Sequence, residues 1–135
     1  MARYTGGCLC GALRWEATAE PLYSGHCYCA DCRKASGSGF IPFMAFSSDT
    51  LTISGKTLTH RWALGDGRVA TRNSCVECGG LVFGGEPGES HDFNIYAGSL
   101  DDPGQFHPKI AIFTRDCPAW ALIPPGLKQY RTMPS

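Results

Sequence analysis

The stretch Cys27-Tyr28-Cys29-Ala30-Asp31-Cys32-Arg33-Lys34 places three cysteines within six residues, spaced C-x-C-x-x-C. Two pairs flank it, Cys8/Cys10 upstream and Cys75/Cys78 downstream, so seven of the eight cysteines fall in three tight clusters. A short helix over Ala30 to Ser36 would put Cys29 and Cys32 on one face, and Gly37 and Gly39 would stop it. The rest of the chain reads as a frame for these thiols.

The bounds of the chain agree with that reading. At 135 residues it is expected to be one domain over 1–135, with a core from about 4 to 130. No run approaches the ~18 apolar residues of a membrane span, and Met1 to Gly6 lacks the apolar region of a secretory signal. A cytoplasmic location is therefore expected, where clustered cysteines stay thiols and serve as metal ligands more often than as disulfides. Formal net charge is zero. Seven thiolates on two zinc ions would move it by about three units negative. No basic footprint points to nucleic acid. Oligomeric state is not readable.

Seventeen glycines and nine prolines, spread throughout, predict short strands and many turns. Leu13 to Ala19 alternates apolar and polar. Phe40 to Phe46 is an apolar strand that Pro42 assigns to an edge or bulge. Thr50 to Ile53, Thr57 to Ala63, Arg68 to Asn73, Leu81 to Phe83, Asp92 to Ala97 and Lys109 to Thr114 complete about eight strands. Gly65-Asp66-Gly67 is a turn signal, and the residues after Gly126 read as a frayed tail. The expected class is mainly β, with short antiparallel strands and little helix.

Cys75-Val76-Glu77-Cys78-Gly79-Gly80 has the form of a zinc knuckle, with glycines whose amides approach the thiolates. Residues i and i+2 of a regular strand point to opposite sides, so Cys8 and Cys10 converge only from an irregular turn. With Cys75 and Cys78 they complete four thiolates; alternatively they join part of the central cluster. The triad Cys27, Cys29 and Cys32 then has three thiolates. Either a fourth position stays open, the pattern of a catalytic zinc, or His26 or another side chain fills it and the site is structural.

Several motifs occur in a fixed order. They are Gly7-Cys8-Leu9-Cys10-Gly11, the central C-x-C-x-x-C stretch, Cys75-Val76-Glu77-Cys78-Gly79, Ala97-Gly98-Ser99-Leu100-Asp101-Asp102-Pro103, Phe106, Pro108 and Pro118-Ala119-Trp120. The set resembles the glutathione-dependent formaldehyde-activating enzyme family, whose domain also occurs in centromere protein V. The likeness runs from Gly7 to Tyr130. It implies a zinc-stapled β-tent fold with two zinc ions. Cys8, Cys10, Cys75 and Cys78 would match the structural site, and Cys27, Cys29 and Cys32 the catalytic one. It also implies a carbon–sulfur lyase that joins glutathione, or a related thiol, to formaldehyde or another small aldehyde. Members often carry His between the first two cysteines of the triad, where this chain has Tyr28; that position is not a thiolate ligand.

Glutathione has two carboxylates, so Arg33, Lys34, Arg61, Arg72, Lys109 and Arg115 are candidate anchors, and Arg33 adjoins a ligand. Trp15, Trp62 and Trp120 are assigned to the core or a pocket wall. His60, His91 and His107 are isolated. Cys117 stands apart, and Arg115-Asp116-Cys117 is similar to a segment of zinc-bearing methionine sulfoxide reductases. Two alternatives therefore accompany the lyase: a non-catalytic zinc module that meets a protein partner, and a reductase using Cys117.

Overall fold

A computed structural model describes residues 3–64 and 67–134. Gly65 and Asp66 of the turn signal lie outside the described residues. The described residues form eleven strands and one α-helix, in order: β1 (Tyr4–Gly7), β2 (Arg14–Ala17), β3 (Tyr23–Cys27), α1 (Ala30–Ser36), β4 (Ile41–Ser47), β5 (Leu51–Ser54), β6 (Thr57–Ala63), β7 (Val69–Cys75), β8 (Leu81–Gly84), β9 (Asp92–Tyr96), β10 (Ile110–Ile112) and β11 (Lys128–Gln129). The protein is mainly β, as the turn-rich composition predicts.

Two sheets form. The small one has the order β1-β2-β5, and the large one β11-β10-β3-β4-β9-β8-β7-β6. Strand alternation gives the large sheet two distinct faces. Met44, Phe46, Phe93 and Ile95 point to one face, where they pack with Tyr4, Trp15 and Ala17 of the small sheet. Cys27, Ile41, Phe43 and Ile112 form a second cluster, joined by Tyr96 and Ile110. The first face is the core of the domain, and the second carries the candidate site.

Three expectations need correction. Antiparallel pairing does not extend through the large sheet: β10 runs parallel to both β3 and β11. The long crossovers between these strands permit it. The segment from Lys128 to Thr132 is not frayed. Tyr130 donates its N–H to Ala111 O at 2.9 Å and Phe113 donates to Thr132 O at 3.1 Å, so backbone pairing holds the tail. Finally, β4 lies inside the sheet, between β3 and β9. Pro42 is tolerated there because β9 pairs only with Phe43 to Ser47, leaving Pro42 a single neighbouring strand, through His26.

A register shift sits between β7 and β8. Asn73 pairs with Phe83 but Ser74 pairs with Leu81, so Val82 is the extra residue of a bulge. Val82 and Phe83 consequently both enter the same core, although they are adjacent in sequence. Asn73 stabilises the irregularity from within. Its Nδ2 donates to Gly85 O at 2.8 Å and to Phe83 O at 3.3 Å, and its Oδ1 accepts from Thr59 Oγ1 at 2.8 Å.

Candidate metal centres and cleft

Cys8, Cys10, Cys75 and Cys78 come together, with all four sulfurs within 4.8 Å of one another. β1 ends at Gly7, and the chain then turns, with Gly11 N–H donating to Cys8 O at 3.2 Å. That irregular turn lets thiols at i and i+2 converge. On the other side, Gly79 adopts φ 75°, in the left-handed region that suits glycine. Gly79 N–H then reaches Cys75 O at 2.9 Å, and Cys75 N–H reaches Gly80 O at 2.9 Å. Backbone amides face the sulfurs: Leu13 to Cys8 at 3.3 Å, Glu77 to Cys75 at 3.3 Å and Gly80 to Cys78 at 3.4 Å.

This donor set fits a metal ion. Four thiolates at about 2.3 Å from a tetrahedral centre have sulfur–sulfur edges of about 3.8 Å. Cys8 to Cys10 and Cys10 to Cys75 both measure 3.7 Å. No sulfur of this group is disulfide-bonded.

Cys27, Cys29 and Cys32 form the second group, again with sulfurs within 4.8 Å of one another. Cys27 is the last residue of β3 and Cys29 is the N-cap of α1. The Cys29 sulfur accepts the Cys32 N–H at 3.1 Å, a capping bond made by a thiol in place of a hydroxyl. Cys32 Sγ lies 3.3 Å from Cys27 Sγ. The Cys27 and Cys32 thiols hold Cys29 well below the ordinary thiol range, against burial, with the Cys32 amide and Arg72 adding to the effect. Cys27 is raised by the same hydrogen bonds and by burial.

His26 does not complete the triad. It stacks on Phe40 at 4.3 Å and faces Phe106, with its Nδ1 3.3 Å from the Tyr28 hydroxyl. Being next to Cys27 in a strand, it points to the opposite side of the sheet. Burial also lowers its basicity. Tyr28 belongs to the same aromatic group, fully buried, and its hydroxyl donates to Leu122 O at 3.1 Å. Tyr28 in place of His is thus a matter of packing behind the sheet.

The triad opens onto a cleft of about 1010 Å³, whose lining includes Cys27 and Cys32. Ile41, Phe43, Ile110, Ile112 and Phe113 form its apolar wall, and the held tail contributes Tyr130 and Met133. Of the candidate cations, Arg61 and Arg72 line it; Arg33, Lys34, Lys109 and Arg115 do not. Arg61 is paired with Glu86, its Nε donating at 2.9 Å. Arg72 Nη2 donates to Cys32 Sγ at 3.8 Å. Tyr96 also lines the cleft. Burial raises its hydroxyl well above the usual phenol range, opposed by Arg72 and reinforced by the triad thiols. Sequence reading passed over Tyr96, whose position opposite Phe43 depends on the β4–β9 register.

Cys117 lies outside the cleft, its Sγ near Pro118 O and Ala121 O at 3.5 and 3.4 Å, and burial raises its thiol. Trp15 is a core residue that donates to Ser99 Oγ at 3.0 Å, whereas Trp62 and Trp120 are exposed, contrary to their assignment to core or pocket wall. Trp62 lies on β6, the edge strand of the large sheet. Among the described residues no helix is long and apolar enough to cross a membrane.

Fold and thiol clusters together define a mainly β protein with two groups of cysteines that could hold metal ions. The family model for the glutathione-dependent formaldehyde-activating enzyme matches residues 3–116, and the chain belongs to that family. A solved structure of a Rhodobacter sphaeroides protein is similar in fold, with a TM-score of 0.55 and 18% identity, covering 72% of this chain and 87% of that one. No curated protein matches the sequence.

Proposed function

We propose that the chain is a zinc-dependent carbon–sulfur lyase that joins glutathione, or a related thiol, to formaldehyde or another small aldehyde. The thiol sulfur bonds to the carbonyl carbon, the carbon–oxygen π bond opens, and the thiol proton ends on the new hydroxyl. One observation carries this reading. The triad's three thiols are joined by no fourth ligand atom among the described residues, and two of its members, Cys27 and Cys32, line a large cleft. A purely structural module has no need of an open position beside a cavity.

Cys27, Cys29 and Cys32 would hold one zinc, and Cys8, Cys10, Cys75 and Cys78 the other, as a staple. A bound zinc supplies Lewis acidity and lowers the pKa of a thiol that meets it. The chain's own residues do the rest. The Cys32 amide fixes the Cys29 sulfur. Ile41, Phe43 and Ile112 give the triad an apolar flank. Tyr96 retains its proton and offers it to the carbonyl oxygen as negative charge develops there. The half-buried position of Cys117, outside the cleft, favours the lyase over the reductase.

Native mass spectrometry with and without glutathione tests this reading. Two zinc ions and a retained glutathione, lost when Cys27, Cys29 and Cys32 are replaced together, are the expected result. Two ions with no glutathione at any concentration would favour the structural module.

A further inference from the structure

Among the described residues, Arg72 is the cleft arginine that lies beside the thiols and is not paired with a carboxylate. Arg72 Nη2 donates to Cys32 Sγ at 3.8 Å, and its Nε is buried with no hydrogen-bond partner among the described residues. The other arginine of the lining, Arg61, is taken by Glu86. The remaining charges of the cleft, Glu86, Glu89 and Asp92, are acidic. Arg72 is anchored in mid-strand, paired with His60 on one side and Gly84 on the other. A Cβ at Gly84 would meet the Tyr96 hydroxyl at 2.9 Å, so that hydroxyl occupies the space opposite Arg72 and limits where its side chain can lie.

Charge counting gives this cation a purpose. Three thiolates around a divalent ion carry one net negative charge, and a substrate thiolate would add a second where Cys27 and Cys32 are buried. Like charges at such distances repel strongly away from water, and a contacting cation offsets them. Resting on the lyase reading, we propose that Arg72 is a positioning residue that lets the triad accept its substrate as a thiolate. It acts on the sulfur and not on a carboxylate of the thiol. Carboxylate recognition by arginine uses two parallel N–H groups. Here the Nε is buried and one Nη already faces Cys32.

Cobalt-substituted protein, whose visible spectrum reports ligand entry, separates the possibilities. It is titrated with 2-mercaptoethanol, glutathione and imidazole. The first is a thiol without a carboxylate, and the last is a neutral ligand. Arg72→Met is expected to weaken both thiols by the same factor, roughly 10- to 100-fold, and to leave imidazole unchanged. Arg72→Lys should recover part of the loss, and Arg72→Gln provides a second uncharged variant if the methionine variant folds poorly. A loss confined to glutathione would mean a carboxylate anchor and overturn the proposal. An equal loss for imidazole would mean a structural role and overturn it too. If the wild-type cobalt protein admits neither thiol, the lyase reading itself falls, and the role of Arg72 with it.

Discussion

Cys29 illustrates how much one side chain does here. It ends the β3 connection, caps α1 and contributes a sulfur to the triad. Serine is a good N-cap, so Cys29→Ser should keep the helix while removing one thiolate. The expected outcome is a folded protein that binds no ion at the triad by mass and loses adduct turnover. Unchanged turnover would end the triad mechanism. Tyr96→Phe should lower kcat by about 10²-fold with the metal content intact, measured by steady-state kinetics and elemental analysis. Asn73 is a purely structural counterpart. Asn73→Leu removes its bonds to Gly85 O and Thr59 Oγ1 and should cost about 1–3 kcal/mol, read from urea unfolding.

At the scale of elements, legibility follows the range of the interactions. The α1 span and the β6 span are those the sequence predicts, because glycine stops and alternation are local signals. The three cysteine clusters are equally plain, since their spacing is short. Strand order is not. Nothing local in Lys128–Gln129 announces pairing with β10, because two exposed polar residues carry no burial pattern. The extra residue at Val82 was hidden for the same reason: a bulge depends on the partner strand. Arg72 stood among six candidate cations, and only the β7–β8 register aims it at Cys32. The element that sequence misread makes a prediction of its own. Ending the chain at Gly126 deletes β11 and leaves Phe113 N–H and Ala111 O without their partners. It also strips Tyr130 and Met133 from the cleft. Thermal unfolding should occur several degrees lower, and thiol affinity should fall in the cobalt titration.

For the molecule as a whole, the two sheets divide the work: one interface is core and the opposite face is cleft. The join between the sheets includes Asp101, which accepts from Arg14 and from Thr5 Oγ1 at 2.8 Å. These bonds lower its carboxyl from 3.8 to about 2. A depressed carboxylate adds stability that is present above its unfolded value and is lost as pH falls through its folded one. Asp101→Asn should therefore flatten the stability profile between about pH 4 and about 2, followed by fluorescence at equilibrium. The meeting of Cys8 and Cys10 with Cys75 and Cys78 has a temporal consequence. A ribosome delivers the N-terminal pair long before the knuckle, so the first thiols leave the exit tunnel without their counterparts. During that interval they are open to oxidation, and the four-thiol group can close only after β7 and the following turn have been made.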